Sequence, residues 1–335
     1  MNEGANVTLK KEILFGVCAL AYAVDVAACI MWSNMGDVCF TMLKRQMAGI
    51  EVTPLQYRML VAWLFQLLHV GKELRAPCIF VSTVAILSYL YTSRACVFHL
   101  FGENEKSYAL SFVFWLLLPV LYIVPLVQYC WMYDLVGLAF ISLGLLLILK
   151  KQMAAFLVMF AVATFNRETT CFLTLYYLVL ELRRHNWKKV LGFCAIQGVI
   201  WFGIKIFLNI HYADRTVDDI TGGTARFNFF HLVLVTNIKV LTGTCDSVMP
   251  GSTARAWLQL AAIFGGLWIP VVMFWKRVNA NQTVKRMMWV VPVYITGMFS
   301  VGAIDELRIF AELGPVIGLA YCAIIITEKE DLRSV

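Results

Sequence analysis

Residues 133–184 read YDLVGLAFISLGLLLILKKQMAAFLVMFAVATFNRETTCFLTLYYLVLELRR, and this stretch decides the fold. Three apolar runs, 133–149, 152–165 and 171–182, are separated only by Lys150-Lys151 and by the tetrad Asn166-Arg167-Glu168-Thr169. A helix needs roughly 20 apolar residues to cross the hydrocarbon of a bilayer. The first run approaches that length and reads as a span. The two shorter runs read as two further spans meeting at a tight polar turn, with a single broken or re-entrant hairpin as the alternative.

Comparable runs lie on either side, near 13–33, 76–96, 108–131, 190–210, 256–275, 287–303 and 311–327. Of the 335 residues 61% are hydrophobic and only 15% charged, too little polar surface to keep a domain of this length dissolved in water. The expected architecture is an all-α polytopic transmembrane bundle of about ten spans. It forms one integral membrane domain, 1–335, with no internal repeat or low-complexity tract. The first run reaches spanning length with no small-residue cleavage site after it, so it is expected to remain as a helix. The ten cysteines are scattered without a C-x-x-C pair, and the five histidines show no ligand spacing, which argues against zinc chemistry. No phosphate-binding glycine loop supports cytosolic nucleotide binding. The net charge of +7 sits at helix ends, so it does not point to nucleic acid.

Ten crossings put every basic cluster on one side: Lys10 and Lys11, Lys150 and Lys151, Arg183, Arg184, Lys188 and Lys189, and Lys276, Arg277, Lys285 and Arg286. By the positive-inside rule that side is the cytoplasm, and both termini lie there. Asn6-Val7-Thr8 and Asn281-Gln282-Thr283 match the glycosylation pattern but fall on the same side, as chance matches. The extracytoplasmic face receives a first loop, 34–75, a second long loop, 211–255, and the turns at 131–134, 166–169 and 304–310. Tyr57 to Val70, with Met59, Leu60, Trp63, Leu64, Leu67 and Leu68, reads as a helix lying in the outer interface. Phe229 to Leu241 reads the same way.

Chemistry is expected among the outer charges Asp37, Arg58, Asp134, Arg167, Glu168, Asp305, Glu306, Arg308 and Glu312. An ionisable group at the centre of a membrane helix costs about 2.5–3.5 kcal/mol, so it persists mainly where it is paired or used. For each residue alone, the plain alternative is a solvated or snorkelling charge. Arg167 offers a planar fork of donors for phosphate or carboxylate, and Glu168 can take a proton or a cation. A structural Arg–Glu pair tying two helix ends together explains them equally well. In a helix Arg308 and Glu312 are four apart and face each other, which leaves Glu306 free to face a cavity. Helix capping is the alternative for Asp305 and Glu306, and equally for Asp37 and Asp134. Asp218-Asp219 with Gly222-Gly223 is a weak cation or phosphate site beside the alternative of a solvated loop. Asp25 lies inside the first span and must find a partner or be protonated. Lys205 is expected to snorkel outward.

The order of an acidic residue soon after the first span, PLQYRML (54–60), YDLVGLAF (133–140), TFNRETTCFL (164–173) and DELRIFAELGP (305–315) resembles that of poorly characterised bacterial polytopic membrane proteins. The likeness covers most of the chain, and the general plan resembles that of the GT-C superfamily of membrane glycosyltransferases. The resemblance implies a bacterial inner-membrane protein of the cell envelope, transferring a sugar from a polyprenyl-phosphate-linked donor on the extracytoplasmic face. By position Asp37 matches the catalytic acidic residue of those enzymes. It is flanked by Gly36 and Val38, so the paired acidic motif of several GT-C families is absent. Glu168 and Glu306 would then be a second acid/base or ligands of a divalent cation. Arg58, Arg167 and Arg308, with Asp134 and Asn166, would bind the substrate, and membrane lipid would surround the whole. Two readings from other classes stay open: a transporter or flippase for an anionic or lipid-linked substrate, coupled by a proton on Asp25, and a non-catalytic subunit of an envelope-assembly complex.

Overall fold

The computed structural model describes residues 3–33, 36–49, 58–71, 73–123, 132–212, 234–235, 237–242, 252–302 and 307–331, and all the regular structure among them is helical. Up to residue 212 the helices are α1 (Glu3–Ser33), α2 (Gly36–Ala48), α3 (Leu60–Leu67), α4 (Arg75–Phe101), α5 (Glu105–Leu110), α6 (Val113–Tyr122), α7 (Met132–Leu149), α8 (Met153–Asn166), α9 (Phe172–Glu181) and α10 (Trp187–Tyr212). Five stretches are long and apolar enough to cross a membrane: Leu9–Trp32 in α1, α4, α7, α10 and Arg308–Thr327. The chain is an integral membrane protein of the helical type.

The centre of the bundle is α7. Its residues are apolar almost all round, and fourteen of the eighteen are buried, as expected of a helix enclosed by other helices rather than of one bordering lipid. It packs on α4, which packs in turn on α1, while α8 and α9 contact it as well. By contrast α10 buries only Val190, Gln197, Leu208 and Tyr212, so most of its surface is left to lipid.

The polar tetrad makes a turn between two separate short helices, neither of them among the stretches long enough to cross a membrane. Arg167 is extended (φ −150°, ψ 151°), Glu168–Cys171 forms one 3-10 turn, and α9 follows at once. Thr170 Oγ1 lies within donating distance of the carbonyls of Ala163 (3.0 Å) and Arg167 (2.9 Å), tying the turn back to the end of α8. At the far end Lys151 pairs with Glu181, so the start of α8 lies beside the end of α9 and the two run antiparallel. Asn166 Nδ2 donates to the carbonyl of Tyr133 at 2.8 Å, which brings the end of α8 to the start of α7.

Several runs expected to be continuous are interrupted, each for a local reason. Within 108–131, α5 ends at Leu110, Ser111 Oγ donates back to the Tyr108 carbonyl at 2.7 Å, and α6 begins at Val113; residues 124–131 lie outside the described set. Within 256–275, Phe264 (φ 55°) and Gly265 (φ 63°) adopt left-handed backbone between Ser252–Ala262 and Trp268–Met273. Ahead of 287–303, Asn281 accepts from the backbone N–H groups of Thr283 and Val284, both at 3.1 Å, and caps Gln282–Met288. The Asn of that glycosylation pattern is therefore a helix cap. The predicted interfacial helix is shorter than its sequence signal: α3 buries Val61, Ala62 and Phe65 and exposes Leu64 and Leu67. Of its counterpart at Phe229–Leu241, residues 234–235 and 237–241 are helical and the remainder lies outside the described residues.

Close helix packing yields a stability test. A methyl added at Gly318, in the C-terminal helix Gly314–Asp331, would stand 2.5 Å from Cε1 of the fully buried Phe114, a rigid ring. Gly318→Ala is expected to destabilise by about 1–3 kcal/mol, the usual cost of overpacking. Gly192→Ala on α10 meets nothing within 4 Å and is expected to be neutral, or stabilising by up to about 1 kcal/mol. Thermal unfolding of both variants in detergent checks the contrast.

Candidate functional site

Six charged residues from four separate parts of the chain meet at one end of the bundle. They are Arg58 just before α3, Asp134 in the first turn of α7, Arg167 and Glu168 at the α8–α9 turn, and Arg308 and Glu312 in the 3-10 segment Leu307–Leu313. Arg167 is central. Its Nη1 lies 2.8 Å from Asp134 Oδ1 and 3.2 Å from Glu312 Oε1, and all three side chains are at most 3% exposed. Arg308 Nη1 donates to the other oxygen of Asp134 at 2.6 Å. Glu312 is held further by Thr169 Oγ1, which donates to Oε1 at 2.7 Å, and by the Tyr294 hydroxyl, 3.2 Å from Oε2 and 2.8 Å from the Ile309 carbonyl. Room for the Arg167 side chain comes from Gly137, where a methyl would stand 2.9 Å from Arg167 Cδ.

Around this buried triad is a more accessible rim. Arg58 Nε pairs with Glu168 Oε2 at 3.2 Å, the two side chains being 14% and 29% exposed. Its guanidinium stands 4.7 Å from the centre of the Tyr133 ring, a cation–π contact. Burial alone would raise the Glu168 carboxyl. The charge of Arg58, with Lys205, a backbone hydrogen bond and Arg167 behind it, outweighs burial and holds it down at about 2. Glu168 is thus ionised at neutral pH. Trp201 Nε1 donates to the Glu168 carbonyl at 3.0 Å and fixes the turn against α10.

Tyr133 has a second environment. It also lines a small apolar recess, with about 20 Å³ of free space, together with Met31, Phe40, Met42, Leu43, Val61, Cys78 and Met132. The recess draws on α1, α2, α3, α4 and α7, and Tyr133 both lines it and carries the Arg58 guanidinium over its ring.

Several pairings differ from those read in the sequence. Arg308 pairs with Asp134 rather than with Glu312, because Leu307–Leu313 is a 3-10 helix; at three residues per turn, positions four apart no longer share a face. Arg167 and Glu168 do not pair with each other; each reaches a different helix end. Asp134 does not act as a solvated cap but is fully buried between two arginines. Lys205 does not snorkel: Nζ donates to the Thr164 carbonyl at 3.2 Å. Asp37 begins the first turn of α2, and its side chain lies outside the described residues, as do Asp305, Glu306, Asp218, Asp219, Gly222 and Gly223. Tyr294 and Tyr133 belong to the site and were not singled out in the sequence, and Thr169, a member of the tetrad, was given no role there. Tyr294 carried no signal, being one aromatic in an apolar helix. Among the described residues no three of His, Cys, Asp and Glu gather as metal ligands.

No family model, curated protein or solved structure matches the chain. What the site does is therefore argued from its own geometry.

Two predictions follow from the pairing. Glu312→Gln or Asp134→Asn leaves the Arg167 charge buried and under-compensated, a change that costs about 3–5 kcal/mol where a buried pair is broken; thermal unfolding in detergent should register it. Glu168 has its carboxyl lowered from the ordinary 4.5 to about 2, so the stability it adds is full above pH 4.5 and is lost as pH falls from there towards 2. In acid titration the stability gap between the wild type and Glu168→Gln should be constant above pH 4.5 and close within this window.

Proposed function

We propose that this protein is a membrane glycosyltransferase of GT-C-like plan, moving a sugar from a polyprenyl-phosphate-linked donor on the extracytoplasmic face of a bacterial inner membrane. The observation that carries the reading is the junction at Tyr133, a residue that has an arginine over its ring and also lines an apolar recess. A lipid-linked phosphate has this same division, an anion joined to a hydrocarbon chain.

The sidedness draws on the opposite end of the bundle. There Lys11 pairs with Glu105, Lys151 with Glu181, and Arg286 Nη1 donates to the Leu180 carbonyl. With basic residues gathered at that end, the positive-inside rule turns the Arg167 cluster away from the cytoplasm. Ten crossings with both termini inside fit this arrangement, the interrupted helices Val113–Tyr122 and Ser252–Met273 serving as two of them.

In the reaction, the Asp37 carboxylate removes the proton from an acceptor hydroxyl, whose oxygen attacks the anomeric carbon. The bond from that carbon to the donor phosphate breaks, and the phosphate leaves with the electron pair. Arg58 and Arg308, on the accessible rim, offset its charge. Glu306 is the second acid/base. Glu168, held ionised, orients Arg58 or meets a divalent cation, while Arg167, with Asp134 and Asn166, positions the rim. The transporter reading draws less support, since Asp25 stands apart from the cluster on the outward face of α1.

Purified protein in liposomes, offered a panel of polyprenyl-phosphate sugars, is expected to yield a glycosylated product by mass spectrometry. Asp37→Asn should lower the rate about 10²- to 10⁴-fold at unchanged membrane yield. An absence of product across the panel, movement of the lipid-linked sugar across the bilayer without product, or full activity in Asp37→Asn would each remove the proposal.

A further inference from the structure

Asp25 lies within the apolar stretch Leu9–Trp32, seven residues or about 10 Å of helix rise before Trp32. At that depth a carboxyl has no water to bond. It makes no hydrogen bond or ion pair among the described residues, and its side chain points outward from the bundle. The inner face of α1 is already committed: Phe15, Ala19, Ala23, Val26, Ala27 and Ile30 are buried against the rest of the chain.

The outward surface of α1 is of two kinds. Leu9, Ile13, Leu14, Val17, Leu20 and Val24 are bulky and exposed, as a lipid-facing surface should be. Beside them Cys18, Ala21, Asp25, Cys29 and Trp32 are also exposed, at spacings of three and four, so that they form one seam along the helix. Three of the five are small. Small residues in such a seam let two helix backbones approach, and a polar residue within it hydrogen-bonds across the contact.

We propose that α1 pairs with α1 of a second copy of this chain through this seam. The helices run parallel about a two-fold axis, with Asp25 against Asp25. Each carboxyl then has a polar group across the contact with which to share a hydrogen bond. A second copy fits better than a cationic partner, because small residues flank Asp25 on both sides and the seam is self-complementary under two-fold symmetry. Among the described residues, Lys205 in α10 is turned inward to the Thr164 carbonyl and is not offered to Asp25 of a second copy.

The test uses the full chain in liposomes at low protein density, with Cys18 as the sole cysteine. Oxidation should then produce a covalent dimer through Cys18, and single-molecule photobleaching of the unoxidised protein should show two steps. Asp25→Leu should lower the crosslinked fraction roughly three- to twenty-fold, and it removes a polar group from lipid, so insertion is not endangered. Asp25→Asn, which can still donate and accept, should retain most of the dimer, while Ala21→Leu should lose it through bulk alone. Single-step photobleaching of the wild type, or equal crosslinking in wild type and Asp25→Leu, would overturn the proposal. Either outcome leaves the glycosyl-transfer reading untouched, since Asp25 is not part of that site.

Discussion

The structure depends on one buried guanidinium. Arg167 sits at the turn between α8 and α9, and its charge is met by a carboxylate from α7 and another from the segment ahead of the C-terminal helix. Removing an ion from water costs several kcal/mol, and the cost is offset only where geometry and further hydrogen bonds are good. Here Thr169, Tyr294 and Arg308 supply those bonds. Three separate stretches of chain are thereby locked at one end of the bundle, where apolar packing against lipid would give little directional preference.

The two ends of the bundle solve different problems. Away from the Arg167 cluster, Arg94 pairs with Glu12 and lies over the rings of Phe15, Phe98 and Tyr108 at 4.2, 4.8 and 4.7 Å, joining α1 to α4. In that contact the cation is enclosed by aromatic faces, while its one carboxylate partner stays partly exposed. The cluster at the other end has rim members still partly exposed, and it adjoins a recess. The Arg94 pair joins two helices and no more, whereas an ionic centre that gathers several chain segments beside an apolar recess can also receive a ligand.

Much of the fold was legible because lipid imposes a simple rule on sequence: long apolar runs must be helices. The helices α1, α4, α7 and α10 and the turn at Asn166-Arg167-Glu168-Thr169 follow from it directly. What the rule hides is interruption. Ser111, the Phe264-Gly265 pair and the Asn281 cap break helices by local backbone chemistry within otherwise apolar surroundings. The site was legible as a set of residues but not as a set of partners. Arg58, Asp134, Arg167, Glu168, Arg308 and Glu312 stood out as charges beside apolar helices, yet which carboxylate each arginine meets depends on where helix ends fall in space. Asp25 shows the reverse case, a charge that by its sequence must find a partner or be protonated and that meets no partner among the described residues.

The 3-10 geometry of Leu307–Leu313 has a consequence for how this region tolerates change. With three residues per turn, Ile309 and Glu312 stand one above the other, and the single hydroxyl of Tyr294 reaches both. Inserting or deleting one residue between them would rotate Glu312 by about 120°, away from that hydroxyl and from Arg167 together. A short connector of this kind usually accepts length variation freely; this one acts as a ruler, and its length is as constrained as that of any buried helix.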